Sequence, residues 1–504
     1  MKLCLKYGRG IVFFRVPRPV HAAVHATVHA AVHAAVRSLL PVFIFFTLFA
    51  SCGRISGPAG DRDDARLLAR EVREETGRTW EAYRKYAWGH DNLLPLSGGF
   101  RDWYGNSLAI SPIDAYSTLR IMGFDEYAGE IESYVLDSLD FDRDMFVKTF
   151  EVNIRILGGL LSMYGLTGNE RILARAVDFG NRLLPAFGSA TGIPHYWVNL
   201  HTGEVRGDTV NVAEGGSCLL EMGILSCYSG DPKYYRAAKK ASKAIFRAGS
   251  TLGLISESID VEAGTWTTRF SHIGCCIDSY FEYLYKGWVL FRDPDLKSMW
   301  DASIGPIQEY LADGTDSSLW YGKADMSTGE HISSVVTLYD AYFPALLALS
   351  GDTARAARAQ RSWDRLWNRY GLEPMVYDYR SGEILDPRYN LNPEIIESAY
   401  YLLYFTGDER YLDRIVNYYR DIRRYCRTDI AYAHVSSVLT MEKDDAMSTY
   451  FLAETMKYIY LALSPETGIN PGNHVFSTEA HVFRKSGFTD EMLEAGLGIS
   501  PAGR

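Results

Sequence analysis

Cysteine is scarce in this sequence, and no two cysteines are separated by only two residues. Seven cysteines occur among 504 residues. Cys4 and Cys52 lie near the N-terminus, and five remain in the body of the chain: Cys218, Cys227, Cys275, Cys276 and Cys426. Because five is an odd number and no Cys-x-x-Cys pair is present, the sequence indicates neither a disulfide framework nor a zinc site.

The sequence also lacks an excess of positive charge. Its net charge is −10. Residues 1–52 hold six Lys or Arg and no acid, so the rest of the chain is more acidic still. Such a surface repels nucleic acid and anionic lipid, which excludes a nucleic-acid partner. The 34 Tyr and 10 Trp suit a carbohydrate-handling surface, and they suit a tyrosine-rich core equally well.

No apolar run reaches the ~20 residues of a comfortable membrane span. The longest run, residues 38–51, follows Arg37 and has the length of a signal-peptide core. Ala50 and Ser51 then precede Cys52, as in a bacterial lipobox. We therefore expect export, cleavage before Cys52, and attachment to the cell envelope, on its periplasmic or cell-surface side, through lipid on that thiol alone. An uncleaved anchor is the alternative.

A four-residue repeat lies ahead of this run and contains His21, His25, His29 and His33. On a helix the i, i+4 spacing would stack four imidazoles on one face, as metal sites do. The repeat precedes the signal core, however, so we expect it to be removed or to lie upstream of the true start codon. Residues 1–52 are thus interpreted as a leader and residues 53–75 as a linker.

No Gly/Ser linker or change in composition divides the following residues, and one signature recurs within them. An apolar helix pattern ends at a Gly, and an Asp or Asn then precedes an amphipathic pattern. Gly accepts the left-handed turn that ends a helix, and Asp or Asn caps the next one. The copies lie roughly 55–65 residues apart, enough for one antiparallel helix pair each, at 166–169, 228–231, 349–352 and 405–408, with a weaker copy at 291–294.

The chain is therefore predicted to be all-α, with stacked helical hairpins that close into an α/α toroid rather than an open solenoid. We expect one domain over residues 76–485 and a C-terminal tail over residues 486–504. Loops 97–104 and 192–200 combine aromatic and polar residues, and we expect them to shape the mouth of a pocket.

Several helix patterns are apolar around most of their circumference and still carry carboxylates. Glu151 and Arg155 share a face at i, i+4, as do Asp278 and Glu282, whose like charges destabilise an exposed helix. Glu221 stands alone in another apolar pattern, where a paired or surface position is the favoured interpretation.

Two further apolar helix patterns also carry carboxylates. Pro393 takes the favoured first position of a helix, Glu394 follows in its first turn, and Glu397 lies one turn on. Tyr450 and Glu454 place an aromatic ring beside a carboxylate at i, i+4. Any one pair is compatible with a surface ion pair, but four pairs on apolar helices favour the inner wall of a ring.

A short stretch near the end, residues 474–481, offers a cation site. Thr478 supplies a hydroxyl and a carbonyl oxygen, and Glu479 adds a carboxylate. Calcium takes 6–8 oxygen ligands of this kind in loose geometry. Alone, the stretch is far more typical of a solvated turn than of a cation site.

Taken in order, these motifs resemble glycoside hydrolase family 47, the class I α-mannosidases, and most closely the ER-degradation-enhancing branch. The resemblance runs from about Gly99 to Phe483. It is carried by residues 111–119, 150–162, 191–200, 277–284, 392–406, 445–461 and 476–481, together with the helix around Glu221.

The resemblance implies an (α/α)7 barrel plugged by a C-terminal β-hairpin and a Ca²⁺ ion held by both oxygens of Thr478. It implies exo-acting, inverting hydrolysis of terminal α-1,2-linked mannose on an oligosaccharide by a monomer. Glu151 would be the general acid, Glu394 the general base, and Asp278 would support the acid. The expected substrate-binding residues are Asp114, Arg155, Glu221, Glu282, Glu397, Tyr450, Glu454 and Glu479.

Three rival interpretations remain at this stage. The first is a non-catalytic, calcium-dependent mannose-glycan-binding protein on the same barrel. The second is a different α/α-barrel enzyme, such as an epimerase or another glycosidase, in which Thr478 would have no role. The third is a structural α-solenoid adaptor with an exposed apolar groove.

Overall fold

The computed structural model describes residues 59–315 and 317–502, and it is mainly helical. The leader, its histidine repeat and Cys52 lie outside the described residues. The α-helices of the described part are α1 (Ala59–Ala87), α2 (Ile110–Ile121), α3 (Asp125–Asp137), α4 (Thr149–Val152), α5 (Gly158–Thr167), α6 (Glu170–Leu183), α7 (Val212–Gly216), α8 (Leu219–Ser229), α9 (Lys233–Arg247), α10 (Asp278–Phe291), α11 (Pro294–Pro306), α12 (Phe343–Leu349), α13 (Thr353–Tyr370), α14 (Glu394–Thr406), α15 (Arg410–Cys426), α16 (Met456–Leu463) and α17 (Asp490–Leu497).

The long helices alternate between an inner and an outer type. Inner helices are buried nearly all round, as in α8, where residues 219–227 are all buried. Outer helices are amphipathic, as in α6, where Ile172, Ala176, Phe179 and Leu183 recur at helical spacing on one buried face. The inner set is α2, α5, α8, α10, α12, α14 and α16, and the outer set is α1, α3, α6, α9, α11, α13 and α15.

The inner helices form a closed ring. Each one packs on the next along the chain, from α2 through α5, α8, α10, α12 and α14 to α16. The π-helical turn of residues 451–455, which leads into α16, packs back on α2, where the Thr118 hydroxyl donates to the carbonyl oxygen of Ala453 at 3.2 Å. The outer helix α1 packs on α16. Seven hairpins therefore close into a toroid, as the repeats predict, and not into a solenoid.

The two ends of the toroid have different connections. Inner helices lead to outer ones through tight turns, in which Gly168, Gly230, Gly351 and Gly407 adopt the left-handed conformation. The Asn169 side chain accepts a hydrogen bond from the amide of Arg171 and so caps α6. These turns are the repeated signature of the sequence, and their predicted role is confirmed.

Outer helices return to inner ones through longer segments that contain small antiparallel sheets. The strands are β1 (Asn92–Leu94), β2 (Gly99–Arg101), β3 (Phe146–Lys148), β4 (Trp197–Asn199), β5 (Val205–Arg206), β6 (Thr209–Asn211), β7 (Ser258–Asp260), β8 (Phe270–Ser271), β9 (Ala312–Thr315), β10 (Ser318–Tyr321), β11 (Lys323–Asp325), β12 (His331–Ser333), β13 (Val335–Thr337), β14 (Val376–Asp378), β15 (Glu383–Asp386), β16 (His434–Ser437), β17 (Glu442–Asp444), β18 (His474–Phe476) and β19 (Val482–Arg484). All but β18 and β19 belong to these returns, at the end where the inner helices begin.

The hairpin of β18 and β19 follows the last inner helix and so starts from the opposite end. His474 pairs with Arg484, and Phe476 pairs with Val482. Its turn lies among the inner helices: the Lys457 ammonium of α16 donates to the carbonyl oxygen of Ala480. A Cβ atom on Gly158 of α5 would meet the His481 ring at 2.8 Å, so glycine permits this close approach.

Two predicted boundaries need correction. Helix α1 begins at Ala59, and its Val72 is fully buried, so residues 59–75 of the expected linker belong to the first outer helix. The expected tail, residues 486–504, contains helix α17, whose Leu493 and Leu497 are buried against α8. Apolar side chains at helical spacing tie both segments to the ring. No helix within residues 59–315 and 317–502 is long and apolar enough to span a bilayer.

Candidate active site

The described site residues that the sequence predicts lie on the inner helices, on the short helix α4 and the π-helical turn that precede α5, on residues 450–455 that lead into α16, or at the turn of the terminal hairpin. Asp278 is the first residue of α10, and Glu394 is the first residue of α14. Each carboxylate therefore stands at a helix N-terminus, where the helix dipole favours negative charge. Since the inner helices begin at the sheet-bearing end of the toroid, both side chains belong to that end of the bore.

Two π-helical turns shape the opposite wall. Residues 153–157 form one, which joins α4 to α5 and carries Arg155. Residues 451–455 form the other, which carries Glu454. Such turns widen a helix locally and occur often at functional sites, because the extra residue redirects the side chains around it.

Arg155 is the hub of this wall. Its Nη1 atom lies 3.2 Å from an Asp114 carboxylate oxygen, contacts Glu479, and donates to the Thr449 hydroxyl at 3.1 Å. Its Nε atom lies 3.2 Å from Glu151, so the predicted i, i+4 pair forms. Four elements far apart in sequence thus converge on one buried guanidinium. Although burial opposes its charge, the surrounding carboxylates hold the pKa of Arg155 well above its ordinary value.

Asp114 receives a second partner from the hairpin. Its other oxygen lies 3.4 Å from the His481 Nε2 atom. Burial alone would raise the pKa of Asp114, but His481 and Arg155 together hold it below its ordinary value. Asp114 therefore remains ionised and fixes both Arg155 and the hairpin turn.

Glu221 is fully buried, contrary to a surface interpretation. One of its oxygens accepts from the Tyr283 hydroxyl at 2.6 Å, and the other accepts from the Asn153 amide at 2.9 Å. Burial raises the pKa of Glu221 to about 8. Tyr283 also accepts from the backbone amide of Thr478 at 3.2 Å, so Glu221 reaches the hairpin turn through one residue.

Glu282 and Glu397 share a buried cation that sequence analysis missed. The Lys286 ammonium contacts Glu282 and lies 3.3 Å from Glu397. The Tyr458 hydroxyl donates to Glu397 at 3.3 Å. Burial raises the pKa of Glu397 to about 7, although Lys286 opposes the rise. The like charges that the Asp278–Glu282 spacing places together are thus offset by a lysine one turn further along α10.

Glu394 and Asp278 each have few hydrogen-bond partners within the described residues. The Asn392 amide donates to one oxygen of Glu394 at 3.3 Å, and its other oxygen has no hydrogen-bond partner within the described residues. Burial and the charges of Glu397 and Asp278 raise the pKa of Glu394 to about 8. Burial likewise raises the pKa of Asp278 to about 8, and its Oδ1 atom accepts from the amide of Ser279 at 2.8 Å. Both groups can exchange protons near neutral pH.

Glu454 and Glu479 are buried carboxylates near the hairpin turn. Burial raises the pKa of Glu454 well above its ordinary value, and the charge of Glu479 raises it further. Burial also raises the pKa of Glu479, although Arg155 opposes it. The Tyr450 ring lies 5.9 Å from the Arg155 guanidinium, and its hydroxyl donates to the carbonyl oxygen of Asn390 at 3.0 Å.

Thr478 is half-buried at the hairpin turn, within this group of acids. Neither its hydroxyl nor its carbonyl oxygen has a hydrogen-bond partner within residues 64–315 and 317–502, so both are available to a ligand. In the same residues, no three His, Cys, Asp or Glu side chains stand close enough together to hold a metal ion. A cation at Thr478 would therefore depend on neutral oxygens.

The two loops predicted to shape a mouth meet. Trp103 contacts Tyr104 with ring centroids 6.3 Å apart, and Tyr104 contacts Trp197 at 6.2 Å. Trp197 in turn contacts Tyr196 at 5.2 Å. The Arg155 guanidinium lies 5.3 Å from the Trp103 ring. The aromatic cluster of Trp103, Tyr104, Tyr196 and Trp197 therefore borders the charged wall and offers flat surfaces to sugar rings.

Sequence reasoning missed three groups of this site. Lys286 stands four residues after Glu282, so helical spacing could have found it. Lys457 stands three residues after Glu454 for the same reason; burial lowers its pKa to about 7. Glu373 gave no local signal. It is fully buried in a loop, its carboxylate has no partner among the described residues, and burial and the charge of Glu394 raise its pKa.

Comparison with known proteins gives a consistent answer. The family model for glycosyl hydrolase family 47 matches residues 76–485. The chain is 34% identical over 447 residues to alpha-mannosidase I MNS5 of Arabidopsis thaliana, a match that covers 82% of this chain and 76% of that protein. It is 31% identical over 480 residues to human ER degradation-enhancing alpha-mannosidase-like protein 2, covering 88% of this chain and 82% of that protein.

Among solved structures, an alpha-1,2-mannosidase from Trichoderma reesei superposes with a TM-score of 0.77 at 25% sequence identity. The match covers 83% of this chain and 99% of the solved one. The seven-hairpin ring is thus an (α/α)7 barrel, as the resemblance implies.

Proposed function

The chain belongs to glycosyl hydrolase family 47, and from this premise we propose that it is an exo-acting, inverting, calcium-dependent α-mannosidase that removes terminal α-1,2-linked mannose from oligosaccharides or mannans. That it is a glycoside hydrolase follows from the family. The solved relative is named an alpha-1,2-mannosidase, which supports the linkage. Inversion, the exo mode and calcium dependence are the parts that need an argument from this chain's own residues.

The placement of Glu151 and Glu394 around the ring carries the proposal. Glu151 belongs to the α4–α5 helix, and Glu394 begins α14. Three inner helices separate them on one side of the ring and two on the other, so the helices that carry them stand on opposite sides of the bore. An inverting glycosidase needs its two carboxyl groups ~6.5–9.5 Å apart to admit a water, whereas a retaining one needs ~5–5.5 Å.

The family resemblance assigns the roles. Glu394 acts as general base and must be ionised, so positive charge near it, as a bound cation would supply, has to lower the pKa that burial raises to about 8. The oxygen of Glu394 that has no hydrogen-bond partner within the described residues is available to take a proton from water. Glu151 acts as general acid, with Arg155 holding its orientation through the 3.2 Å contact. Asp278 lies near Glu394 and Glu282 and interacts electrostatically with both, so it can support proton transfer. A positioned acid or base contributes ~10²–10⁴ in rate.

The chain's donor set fits calcium. Thr478 presents two hard oxygens that have no hydrogen-bond partner within the described residues. Burial raises the pKa values of Glu394, Glu397, Glu454 and Glu479, so added positive charge near them would favour their ionised forms. Calcium, when bound, would supply that charge and gather sugar hydroxyls. Since no cluster of protein acids in the described residues could complete its shell, waters and the terminal mannose would fill it.

The exo mode follows from the hairpin. The turn of β18–β19 lies among the inner helices, so the bore is occupied from that end. A sugar that enters past Trp103 and Trp197 meets Thr478 at a closed base. Only a chain terminus fits such a base, and we infer that the protein works on it as a monomer.

Export and lipid attachment at Cys52 are also proposed, on the apolar run of residues 38–51 alone. This segment lies outside the described residues. Metabolic labelling with a fatty acid tests it: label should enter the native protein and not a Cys52→Ser variant, and N-terminal sequencing should find no residue before Cys52.

One rival remains worth testing. A non-catalytic mannose-glycan-binding protein would use the same bore, and the presence of Glu151, Asp278 and Glu394 in it favours the enzyme. The test is release of mannose from α-1,2-mannobiose, with and without a chelator. Release that stops on chelation supports the proposal. Calcium-dependent binding without release supports the rival, and release unaffected by exhaustive chelation removes calcium from the mechanism.

A further inference from the structure

Two adjacent thiols stand beside the candidate site without a role in it. The Sγ atoms of Cys275 and Cys276 lie 3.5 Å apart and are in hydrogen-bond contact. Both residues are partly exposed, whereas the other described cysteines, Cys218, Cys227 and Cys426, are buried. Among the described cysteines, this pair is therefore the one that an external reagent can reach as a dithiol.

The two cysteines lie in the loop that positions Asp278 at the start of α10. This loop joins β8 to α10, and the amides of Ile277 and Asp278 both donate to the carbonyl oxygen of Gly274, at 3.0 and 3.1 Å. The carbonyl oxygen of Cys276 accepts from the amide of Ala213 at 3.0 Å. Cys276 has φ +84°, a left-handed conformation that is strained for a residue with a side chain. The backbone around the two thiols is thus constrained on both sides.

We propose that Cys275 and Cys276 are a modification site at which a low-molecular-weight disulfide converts the two thiols into a reversible vicinal disulfide. The thiolate of Cys276 attacks the reagent and forms a mixed disulfide, releasing one reagent thiolate. The Cys275 thiolate then attacks the Cys276 sulfur, releasing the second. The protein loses two protons and two electrons, and the reagent disulfide takes up both and is reduced to two thiols.

The geometry of the two neighbouring cysteines makes their disulfide easy to reduce. Neighbouring Cα atoms lie ~3.8 Å apart across a trans peptide, below the usual 4.4–6.8 Å range of disulfide-bonded Cα atoms. The two sulfur atoms must also move from 3.5 Å to the ~2.05 Å of a bond. The ring is therefore strained, and strained disulfides have high reduction potentials. The hydrogen bond between the two thiols, together with desolvation, raises the pKa of the Cys275 thiol.

Closure of the ring should alter turnover, an effect that rests on the proposed function. The peptide between the two cysteines must rotate, and the same short loop carries the hydrogen bonds that hold Ile277 and Asp278. Asp278 should therefore move from its place at the start of α10. A misplacement of about 1 Å can cost ~10² in rate.

The bond itself is tested without any substrate. The full chain is incubated with oxidised glutathione, and its intact mass and peptide map are measured. In the peptide that carries both Cys275 and Cys276 we expect a loss of two hydrogens, a link between the two sulfur atoms, and full reversal by dithiothreitol; this peptide is read separately from those of Cys4 and Cys52. In the same peptide Cys275→Ser should instead give at most one glutathione adduct, and the buried-site control Cys227→Ser should behave as the unchanged protein. Two stable adducts, or two free thiols throughout, would overturn the proposal.

Turnover is the second readout. We expect activity of the unchanged protein to fall ~10²-fold on oxidation and to return with dithiothreitol, while the double variant Cys275→Ser, Cys276→Ser keeps its activity in the oxidant. A vicinal bond without loss of activity would overturn the effect on Asp278. If even the reduced protein releases no mannose, the proposed function fails. The mass measurement still shows whether the disulfide forms.

Discussion

The Nζ atom of Lys286 lies 3.3 Å from a carboxylate oxygen of Glu397, and it also contacts Glu282 on its own helix. One buried ammonium thus joins α10 to α14, whose first residues are Asp278 and Glu394. The spacing of the two carboxylates that begin these helices depends on this bridge.

Lys286→Met should destabilise the fold. The change leaves Glu282 and Glu397 buried without their cation, and breaking a buried pair costs ~3–5 kcal/mol. Urea unfolding measures it. Lys297→Met is the matched control, because Lys297 pairs with Asp301 at the same i, i+4 spacing on the exposed surface, where a pair is worth ~0.3–0.5 kcal/mol. Equal losses in the free energy of unfolding of the two variants would show that the buried bridge stabilises the fold no more than the exposed pair does.

Glu394→Gln should abolish turnover and leave sugar binding largely intact. The change is isosteric and removes only the group that accepts a proton, which typically costs ~10²–10⁴ in rate. Steady-state release of mannose and calorimetric binding of the dimannoside separate the two effects. Glu383→Gln, on exposed strand β15, is the control. Near-normal turnover of the Glu394 variant would move the base to Glu397 or Asp278.

Thr478→Val should weaken calcium binding. Valine keeps the shape and the carbonyl oxygen but lacks the hydroxyl, one of the two oxygens proposed to hold the ion. Titration calorimetry with calcium on chelator-treated protein measures the affinity, and Thr440→Val, an exposed residue, provides the comparison. An unchanged affinity in the Thr478 variant would place the ion elsewhere.

The calcium-free protein should lose stability as the pH rises. Burial raises the pKa of Glu221, Asp278 and Glu394 to about 8, above their unfolded values. Between those values the folded state binds more protons, so the free energy of unfolding falls with increasing pH. The stabilisation is complete below about pH 4 and is lost through pH 8.

Thermal unfolding at a series of pH values tests this expectation. Glu221→Gln should flatten the curve, since its amide does not titrate, and Asn153 can turn its unpartnered oxygen toward the new amide. Added calcium should restore stability most at high pH. A melting temperature that rises from pH 5 to pH 8 without calcium would contradict the assignment.

Hydrolysis should release β-mannose first. Water activated by Glu394 must attack the face opposite the leaving oxygen, which Glu151 protonates across the bore. Proton NMR of a fresh reaction with an α-1,2-linked dimannoside reads the anomer before it equilibrates. Initial α-mannose would refute the two-carboxylate assignment, and ready cleavage of only the α-1,3 or α-1,6 isomer would refute the linkage.

Local patterns in the sequence were sufficient to predict the helical hairpins and to indicate which helices carry buried acids. Gly168 and Asn169 end one helix and cap the next through bonds to neighbouring residues, so a few consecutive residues carry that information. The apolar circumference around Glu151 and Glu397 indicates an inner wall for the same reason, because helical periodicity is a property of one segment.

Tertiary structure alone decided what those acids contact. Asp114, Thr449 and Glu479 meet at Arg155 only because the ring closes and the hairpin turn lies within it. The two π-helical turns and the carboxylate of Glu373, which has no partner among the described residues, also gave no local signal. A contact between distant segments depends on how whole helices pack, whereas a sequence pattern records only which face of one helix is buried.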